Sequence, residues 1–427
     1  MWFLIAANTL NFYDRQLLGA VAEPLRIEMG WNDFQLGILS TAFTLLYALA
    51  SLPMGRIADR CNRQSVLGIG LATWSLFTAL CGFAWNFSSM LAFRLGTGMG
   101  EATCAPTATA LVGEQFPESR RAGALSLFML GLPLGSALSY SLGGWLTQSY
   151  GWRVAFFSAG IAGLLLALLG VSRSAKIGRK RSETGREPAQ DPVVVAVRKM
   201  LKLPAFGWMI GSGAIHNFNL YAISAFLPAF LIRYHHVDVK TAGLMTGLAY
   251  AALGGTGILI GGYASDRFRL SASRSASRLW VAFGACLFSI PPFLLALSCA
   301  PGQLMLFAGS IAPAALLLYM YYPAVYAAIQ DIVPGSSRGL AMAVYLTVMY
   351  LLGGSLGPAV VGWLSDRFRE QGMRALPPGV SPELLWADGL HRAMYLIPFL
   401  TLFLAGTLAL AAAASRKSGR HEPSEKS

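Results

Sequence analysis

Four ionisable residues stand inside long apolar stretches of the 427-residue sequence, namely Asp14, Arg15, Arg94 and Glu101. A charge near the centre of a bilayer costs at least about 2.5–3.5 kcal/mol, so such a residue needs a partner or a wet cavity. The arginines could bind an anionic group, because a guanidinium is a planar, permanently charged double donor. A buried carboxylate beside an arginine could exchange a proton, because burial favours the neutral acid whereas the arginine favours the ion.

These four residues predict a proton and anion site near the middle of a membrane. At 1.5 Å per helical residue, Asp14 and Glu101 each stand about 18–20 Å from the start of their apolar stretch. We expect Asp14 and Glu101 to exchange protons, and Arg15 and Arg94 to bind substrate. Adjacent helix positions point about 100° apart, so Asp14 and Arg15 cannot both face one cavity. The alternative is that the four charges form neutralised structural pairs, such as Asp14 with Arg15.

A later apolar stretch carries four polar or aromatic residues that are predicted to line a substrate cavity: His216, Asn217, Asn219 and Tyr221. The alternative is that they bond helix to helix, as Asn and His also do in membranes. A run of tyrosines between positions 319 and 326 is more typical of packing or of an interface belt. The five cysteines are scattered without metal-ligand spacing, so no metal and no cofactor is expected.

The composition indicates which elements must position these side chains. Hydrophobic residues make up 55% of the chain and charged residues 12%, against about 25% charged in soluble domains. One large soluble core is therefore excluded. Segments of about 20 apolar residues, enough to cross a hydrocarbon core about 30 Å thick, recur along the chain. They predict an all-α membrane protein of twelve transmembrane helices, at about 2–23, 33–55, 65–84, 88–112, 122–147, 153–171, 205–231, 241–264, 279–299, 302–330, 339–364 and 393–414.

The basic residues predict the orientation of these spans. Most of the 33 Lys and Arg residues fall in loops on one side, which the positive-inside rule makes cytoplasmic together with both termini. Topology thus explains the net charge of +13, and no nucleic acid partner is expected. A polar stretch near position 180 divides the spans into two sets of six. We predict an N-terminal bundle at 1–172, a cytoplasmic linker at 173–204, a C-terminal bundle at 205–415 and a cytoplasmic tail at 416–427.

The pattern Gly-x-x-(Ala/Ser)-Asp-Arg occurs three times, beginning at Gly55, Gly262 and Gly362. The first two copies follow the second span of each half, which indicates duplicated halves of the kind many transporters have. Glycine lets helices approach closely, and aspartate can accept hydrogen bonds from a helix N-terminus or pair with arginine. The alternative is a simple helix-end signal. We predict a gating contact formed by Gly55, Asp59, Arg60, Arg63, Gly262, Asp266 and Arg267.

Several motifs of this chain resemble those of the major facilitator superfamily. The stretch 55–64 resembles its signature in the loop between helices 2 and 3. Arg94 with Gly96, Gly98 and Gly100 is similar to its fourth-helix motif. The fifth-helix motif is matched by Gly131, Pro133, Gly135, Gly143 and Gly144. The resemblance covers the whole chain and implies two pseudo-symmetric six-helix bundles that work by alternating access.

A narrower resemblance is to the Spinster-type branch of that superfamily. It is carried by Asn11, Tyr13, Asp14 and Arg15 in the first span and by the stretch 98–107 in the fourth. It implies a proton-coupled transporter of an amphiphilic organic anion, such as a lysophospholipid or a sphingoid phosphate. The alternative is a small organic anion transporter or a multidrug exporter. We expect a monomer in the bacterial inner membrane that contacts membrane lipids.

An enzyme is not expected, because the apolar spans carry no catalytic cluster and the chain has no phosphate-binding loop of the Walker type. A receptor or sensor would bring a sizeable soluble module, and the loops and the tail of this sequence are too short for one. Transport explains the twelve spans, the duplicated halves and the paired charges together.

Overall fold

A computed structural model of the chain describes residues 1–174, 193–268, 270–271, 273–334, 337–375 and 381–418. Of the residues in these ranges, 90% are helical, and none of them belongs to a β-strand. The predicted all-α class is therefore confirmed. Most of the predicted linker at 173–204 and the end of the predicted tail lie outside the described residues, so the proposed domain boundaries stay a prediction.

The first six predicted spans correspond to eight α-helices: α1 (Trp2–Met29), α2 (Asp33–Arg60), α3 (Arg63–Cys81), α4 (Phe87–Glu101), α5 (Cys104–Gln115), α6 (Glu118–Met129), α7 (Gly131–Tyr150) and α8 (Trp152–Ser174). The rest of the chain forms α9 (Val193–Leu201), α10 (Pro204–His235), α11 (Val239–Leu248), α12 (Gly255–Arg267), α13 (Arg274–Ser298), α14 (Leu304–Tyr319), α15 (Tyr321–Ile332), α16 (Arg338–Val348), α17 (Leu356–Ala375), α18 (Pro382–Met394) and α19 (Leu396–Ser418).

Within the described ranges, nine helices are long and apolar enough to cross a membrane. The three other predicted spans are α1, the pair α4 and α5, and the pair α11 and α12. The first carries several charged residues, including Asp14 and Arg15. The two pairs are each interrupted near the middle, by Ala102–Thr103 and by a π-helical segment at Ala249–Gly254. Nine of the twelve predicted spans are therefore recovered by length and hydropathy within the described ranges.

Asparagine side chains cap the N-termini of helices α2, α3 and α4. The side chains of Asn32 and Asn86 each accept a hydrogen bond from the third residue of α2 and α4, and Asn62 does so for α3. Such caps satisfy backbone N–H groups that have no partner inside the helix. Helix α1 ends at Gly30, whose φ of 66° is a left-handed conformation that glycine adopts without a steric penalty.

The helices group into two compact units, and each takes residues from distant parts of the chain. The first comprises Met1–Ser182, Tyr221–Ala251 and Ser355–Ala393. In it, α1 packs on α7, α3 on α8, α11 on α7 and α17 on α2. The second comprises Glu183–Leu220, Ala252–Gly354 and Met394–Ser427. Its helix α13 packs on α14, α15 and α19.

Corresponding positions of the two chain halves repeat the same local geometry. A methyl group added at Gly55 in α2 would lie 3.8 Å from the Cβ of Pro106 in α5. One added at Gly262 in α12 would lie 3.8 Å from the Cβ of Pro323 in α15. Each proline is the third residue of the helix that follows a break. This agreement supports the duplication predicted from the repeated motif.

Close packing through small residues generates a stability prediction. A methyl group added at Gly160 in α8 would lie 2.6 Å from the carbonyl oxygen of Ser75 in α3, whereas one added at Gly284 in α13 would have no neighbour within 4 Å. Gly160→Ala is therefore expected to destabilise the fold by about 1–3 kcal/mol, as overpacking does. The melting temperature of the detergent-purified variant should fall by several degrees, while Gly284→Ala should not lower it. Equal shifts would contradict this packing.

Candidate functional site

The structure brings Arg15 of α1 and Glu101 of α4 together in an ion pair. Their Nη2 and Oε2 atoms are 3.2 Å apart, and the side chains are 3% and 0% exposed. The same guanidinium lies 3.5 Å from the Tyr221 hydroxyl and 3.5 Å from Oδ1 of Asn11. Glu101 of α4 and Tyr221 of α10, both predicted site residues, therefore contact the guanidinium of Arg15 on α1. All of them belong to the first compact unit.

Aromatic rings surround this cation. The Cζ atom of Arg15 lies 4.2 Å from the ring centre of Tyr47, 5.0 Å from that of Phe12 and 5.6 Å from that of Phe43. Cations are attracted to ring faces, and more so where water is excluded. The rings of α2 gave no recognisable signal in the sequence, because aromatic residues are common in apolar spans.

Arg94 of α4 is tied to the backbone of α1. Its Nη1 donates to the carbonyl oxygen of Asp14 at 3.3 Å, and its Cζ lies 4.4 Å from the Phe43 ring centre. The residue is 2% exposed. Arg94 thus joins α4 to α1 and also lies close to the cation of Arg15.

Asp14 faces away from Arg15, as their adjacent positions on one helix predict. It is fully buried, and neither carboxylate oxygen has a hydrogen-bond partner among the described residues. The side chains of Trp74 and Thr78 on α3 lie beside it, and their polar atoms are likewise unsatisfied by any described group. The structure therefore pairs Arg15 with Glu101 and not with Asp14.

A narrow cleft opens beside Arg15 in the first unit. Its lining is mostly polar and comprises Arg15, Gln16, Ser40, Thr44, Arg94, Tyr221 and Ser224, with Gly19, Ala225 and Pro358. Near it, the Tyr140 hydroxyl donates to the Ser224 carbonyl oxygen at 2.7 Å. The hydroxyl and amide groups of this cleft were not predicted from the sequence, because single small polar residues inside apolar spans are weak signals.

The predicted residues at positions 216 to 219 lie in the second unit. The ring of His216 stacks on Tyr321 with centres 3.9 Å apart, and neither ring nitrogen has a hydrogen-bond partner in the described part of the chain. Asn217 donates to the Met349 carbonyl oxygen at 3.2 Å, and Asn219 donates to Thr401 at 3.0 Å. The two asparagines therefore form hydrogen bonds between helices. From the sequence, such bonds were the alternative to lining a substrate cavity.

The tyrosine run between positions 319 and 326 contributes to packing in the second unit. The Tyr321 hydroxyl lies 2.7 Å from the Ser212 hydroxyl and 2.9 Å from that of Tyr345. All three residues are buried. This hydroxyl chain fits the packing role that the sequence predicts for the run.

The repeated motif ends near an ion pair in each half of the chain. Arg63, at the start of α3, pairs with Glu114 near the end of α5 at 2.5 Å. Arg278, in the first turns of α13, pairs with Asp331 near the end of α15 at 2.8 Å. The two halves thus form equivalent contacts, an arginine of the third span with an acid of the fourth.

The other predicted gating residues differ in what they contact. Asp266 accepts from Arg278 at 2.8 Å and from Arg274 at 3.4 Å, and the Arg278 guanidinium holds the pKa of Asp266 below its usual range. Arg267 is exposed. The side chains of Asp59 and Arg60 lie outside the described residues, so their gating role stays a prediction.

The buried pair generates a prediction about stability. Arg15→Met leaves the Glu101 carboxylate buried beside an apolar side chain, and breaking a buried pair from one side typically costs about 3–5 kcal/mol. Its melting temperature should therefore fall more than that of the double variant Arg15→Met/Glu101→Gln, which leaves neither charge. The exposed pair of Arg153 with Glu28 is the control, because Arg153→Met should change stability by less than about 1 kcal/mol. A double variant no more stable than the single one would contradict the pairing.

Comparison with known proteins identifies the family. The model of the Major Facilitator Superfamily matches residues 4–358 and 209–427. The chain is 31% identical to an MFS-type efflux pump of Mycolicibacterium smegmatis over 87% of this chain and 86% of that protein. It is 27% identical to the hexuronate transporter of Bacillus subtilis over 86% of this chain and 87% of that protein.

Among solved structures, a bacterial homolog of the human lysosomal transporter Spinster, in an inward-facing and unoccupied conformation, matches with a TM-score of 0.86. The two chains are 26% identical, and the match covers 97% of each. The family is one of transporters rather than of enzymes. With its helical fold and its buried charges, the chain belongs to the Major Facilitator Superfamily, with Spinster homologues among its relatives.

Proposed function

We propose that the protein is a secondary active transporter that couples protons to the movement of an organic anion by alternating access. The observation that carries this proposal is the fully buried pair of Arg15 with Glu101, placed beside a polar cleft in a helical membrane protein. We further propose a monomer in the bacterial inner membrane with both termini in the cytoplasm. Membrane lipids would surround it.

Competition for one guanidinium would couple the proton to the anion. Arg15 presents a limited set of donors, and Glu101 occupies Nε and Nη2 at 3.4 and 3.2 Å. An anionic substrate that binds these donors displaces the Glu101 carboxylate, which then lacks a counter-ion in a low-dielectric site. Burial without a counter-ion favours the neutral acid, so substrate binding and proton uptake are linked. Arg94 adds positive charge, and Tyr221 a hydroxyl, to the same place.

Asp14 is proposed as the second proton-exchanging group. It is buried, and its oxygens lack described partners. It faces α3, about 100° around α1 from the adjacent Arg15, so it would respond to helix movement rather than to direct contact with substrate. The residues of the loop motif, with Gly55 and Asp59 in one half and Gly262 and Asp266 in the other, would hold the cytoplasmic side closed in one state.

Two substrate classes follow from different observations. The resemblance to the Spinster-type branch implies an amphiphilic anion, such as a lysophospholipid or a sphingoid phosphate, and a Spinster homolog is among the matching solved structures. The polar lining of the cleft favours a small hydroxylated carboxylate instead, and one relative carries the name hexuronate transporter. Thermal stabilisation of the purified protein by lysophosphatidate or by glucuronate would separate the two.

The proton role of Glu101 predicts a specific uncoupling. Glu101→Gln keeps the shape and can still accept from Arg15, but it cannot titrate. We expect proton-driven uptake into proteoliposomes to fall at least tenfold, while exchange of substrate across the membrane without a gradient persists. The same assay on Glu28→Gln, an exposed acid on α1, is the control. Uptake by the Glu101 variant that keeps the wild-type dependence on pH would contradict the coupling role.

The anion role of Arg15 predicts a graded loss of affinity. Arg15→Lys keeps the charge but loses the planar, two-pronged contact, and Arg15→Ala also leaves Glu101 unpaired. Affinity for the anionic ligand should fall about tenfold or more in the lysine variant and further in the alanine variant. Affinity and melting temperature are to be measured together on both variants. A folded alanine variant that binds as tightly as the wild type would contradict head-group recognition by Arg15.

A further inference from the structure

One face of the C-terminal half of α17 is packed, through the third copy of the repeated motif. The Asp366 carboxylate accepts from the backbone N–H of Asp33 at 3.3 Å and of Phe34 at 2.9 Å, which are the first N–H groups of α2. A methyl group added at Gly362 would collide with the Asp33 carbonyl oxygen. Because the predicted span of α2 begins at position 33, this contact places residues 362–366 of α17 at the level where the predicted membrane region ends.

Another face of the same helix carries three donor side chains, Arg367, Gln371 and Arg374. They follow one another at intervals of four and three residues, so they lie on one side of the helix, and the two arginines are two turns or about 10 Å apart. The Arg367 side chain is 57% exposed, and the other two residues are exposed as well. These three residues, here called the Arg367 stripe, lie beyond the end of the predicted span at position 364.

A cavity of about 370 Å³ lies against the Arg367 stripe. Its volume falls within the range of pockets that hold small molecules, about 300–1,000 Å³. The described residues that line it all belong to α17. Trp363, Leu364 and Phe368 form its apolar part, and the three residues of the Arg367 stripe line its polar part. The cavity is therefore apolar toward the predicted span and polar toward the end of the helix.

Exposed apolar side chains continue from this cavity toward the interior of the predicted span. Trp363 is 48% exposed, and Leu356, seven residues earlier on the same side of the helix, is 46% exposed. Tryptophan is enriched at the headgroup level of membranes, because its ring is apolar and its N–H is polar. This face of α17 is therefore amphiphilic along its length, apolar beside the predicted span of α2 and cationic beyond the end of that span.

The charges that line the cavity leave its arginines available to an anion. Glu370 is the one acid that lines it within the described part of the chain. This carboxylate lies 3.5 Å from Arg367, and the two side chains are 41% and 57% exposed. Exposed pairs of this kind contribute little stability, so a phosphate can replace Glu370 as the partner of Arg367. Two cations against one acid give the cavity a net positive charge, which complements a phosphodiester.

We propose that this face of α17 binds an anionic phospholipid of the leaflet on the predicted exterior side. The phosphate lies between Arg367 and Arg374, since a guanidinium donates two parallel hydrogen bonds to phosphate oxygens. The acyl chains run along Trp363 and Leu356. A soluble acidic protein would match only the cationic part of this face. A second copy of the chain, packed two-fold through the same face, would set arginines against arginines. The proposal does not depend on the transport function proposed above.

Native mass spectrometry of the detergent-purified full chain tests the proposal. The probes are dioleoyl phosphatidylglycerol and dioleoyl phosphatidylcholine, which have the same chains but differ in net charge. The wild type should bind phosphatidylglycerol at least about fivefold more tightly, the factor that one arginine contributes near an anionic lipid surface. Arg367→Gln/Arg374→Gln should abolish this preference, and Arg367→Lys/Arg374→Lys should keep part of it. Glu370→Gln should tighten the binding of phosphatidylglycerol, because it removes the competing acid.

Matched controls separate a lipid site from a general effect of charge. Arg392 of the neighbouring helix α18 is exposed and pairs with Asp388, and Arg392→Gln should keep the wild-type preference. Trp363→Ala should weaken the binding of both lipids alike. An unchanged preference in Arg367→Gln/Arg374→Gln, or an equal loss in Arg392→Gln, would overturn the proposal. Full displacement of the lipid by excess inorganic phosphate would also overturn it, because the site would then suit a soluble anion. So would a dimer that the double variant dissociates, since the face would then join two copies of the chain.

Discussion

The pairing of Arg15 with Glu101 is the interaction on which the rest of the candidate site depends. A guanidinium cannot lose its charge under ordinary conditions, so in the middle of the fold it must be held by acceptors from several directions. Glu101 supplies the carboxylate, Asn11 and Tyr221 supply oxygens, and rings of α1 and α2 cover the faces. Helices α1, α2, α4 and α10 are therefore all constrained to meet at this point.

A second buried arginine is held in the same way as Arg15. Arg233 is also buried, and it is also held by carboxylates from more than one helix. The two cations differ in what surrounds them. Arg15 borders a polar cleft and shares its donors among partners at 3.2 to 3.5 Å, whereas Arg233 forms three contacts of 2.6 to 2.8 Å. The contacts of Arg15 are therefore longer than those of Arg233, and Arg15 lines the cleft.

Backbone irregularities lie next to several of the predicted site residues. Helix α4 ends at Glu101 itself, and α15 begins at Tyr321, on which His216 stacks. A π-helical segment begins at Met349, whose carbonyl oxygen accepts from Asn217. Interrupted helices inside a membrane need side chains to satisfy the freed backbone groups. This requirement explains why a polar residue such as Asn217 is found beside the irregular segment.

The sequence by itself determined the helical membrane class, the positions of most spans and the four buried charges. These follow from apolar length and from the cost of a charge in hydrocarbon, both of which can be read locally. It also determined that Asp14 and Arg15 face different neighbours, because helix geometry fixes the angle between adjacent residues. The family resemblance came from motifs of fixed spacing, which are local as well.

Only the tertiary structure decided which charges are paired. Arg15 could have been neutralised by Asp14 or by Glu101, and the packing of α1 against α4 selected Glu101. Likewise, Arg233 and Asp33 each stand at a predicted span boundary, where a solvated charge is ordinary, yet the approach of α2, α10 and α17 buries both of them. The third motif copy became a helix cap for the same reason. Partner choice depends on helices distant in sequence, so no local pattern contains it.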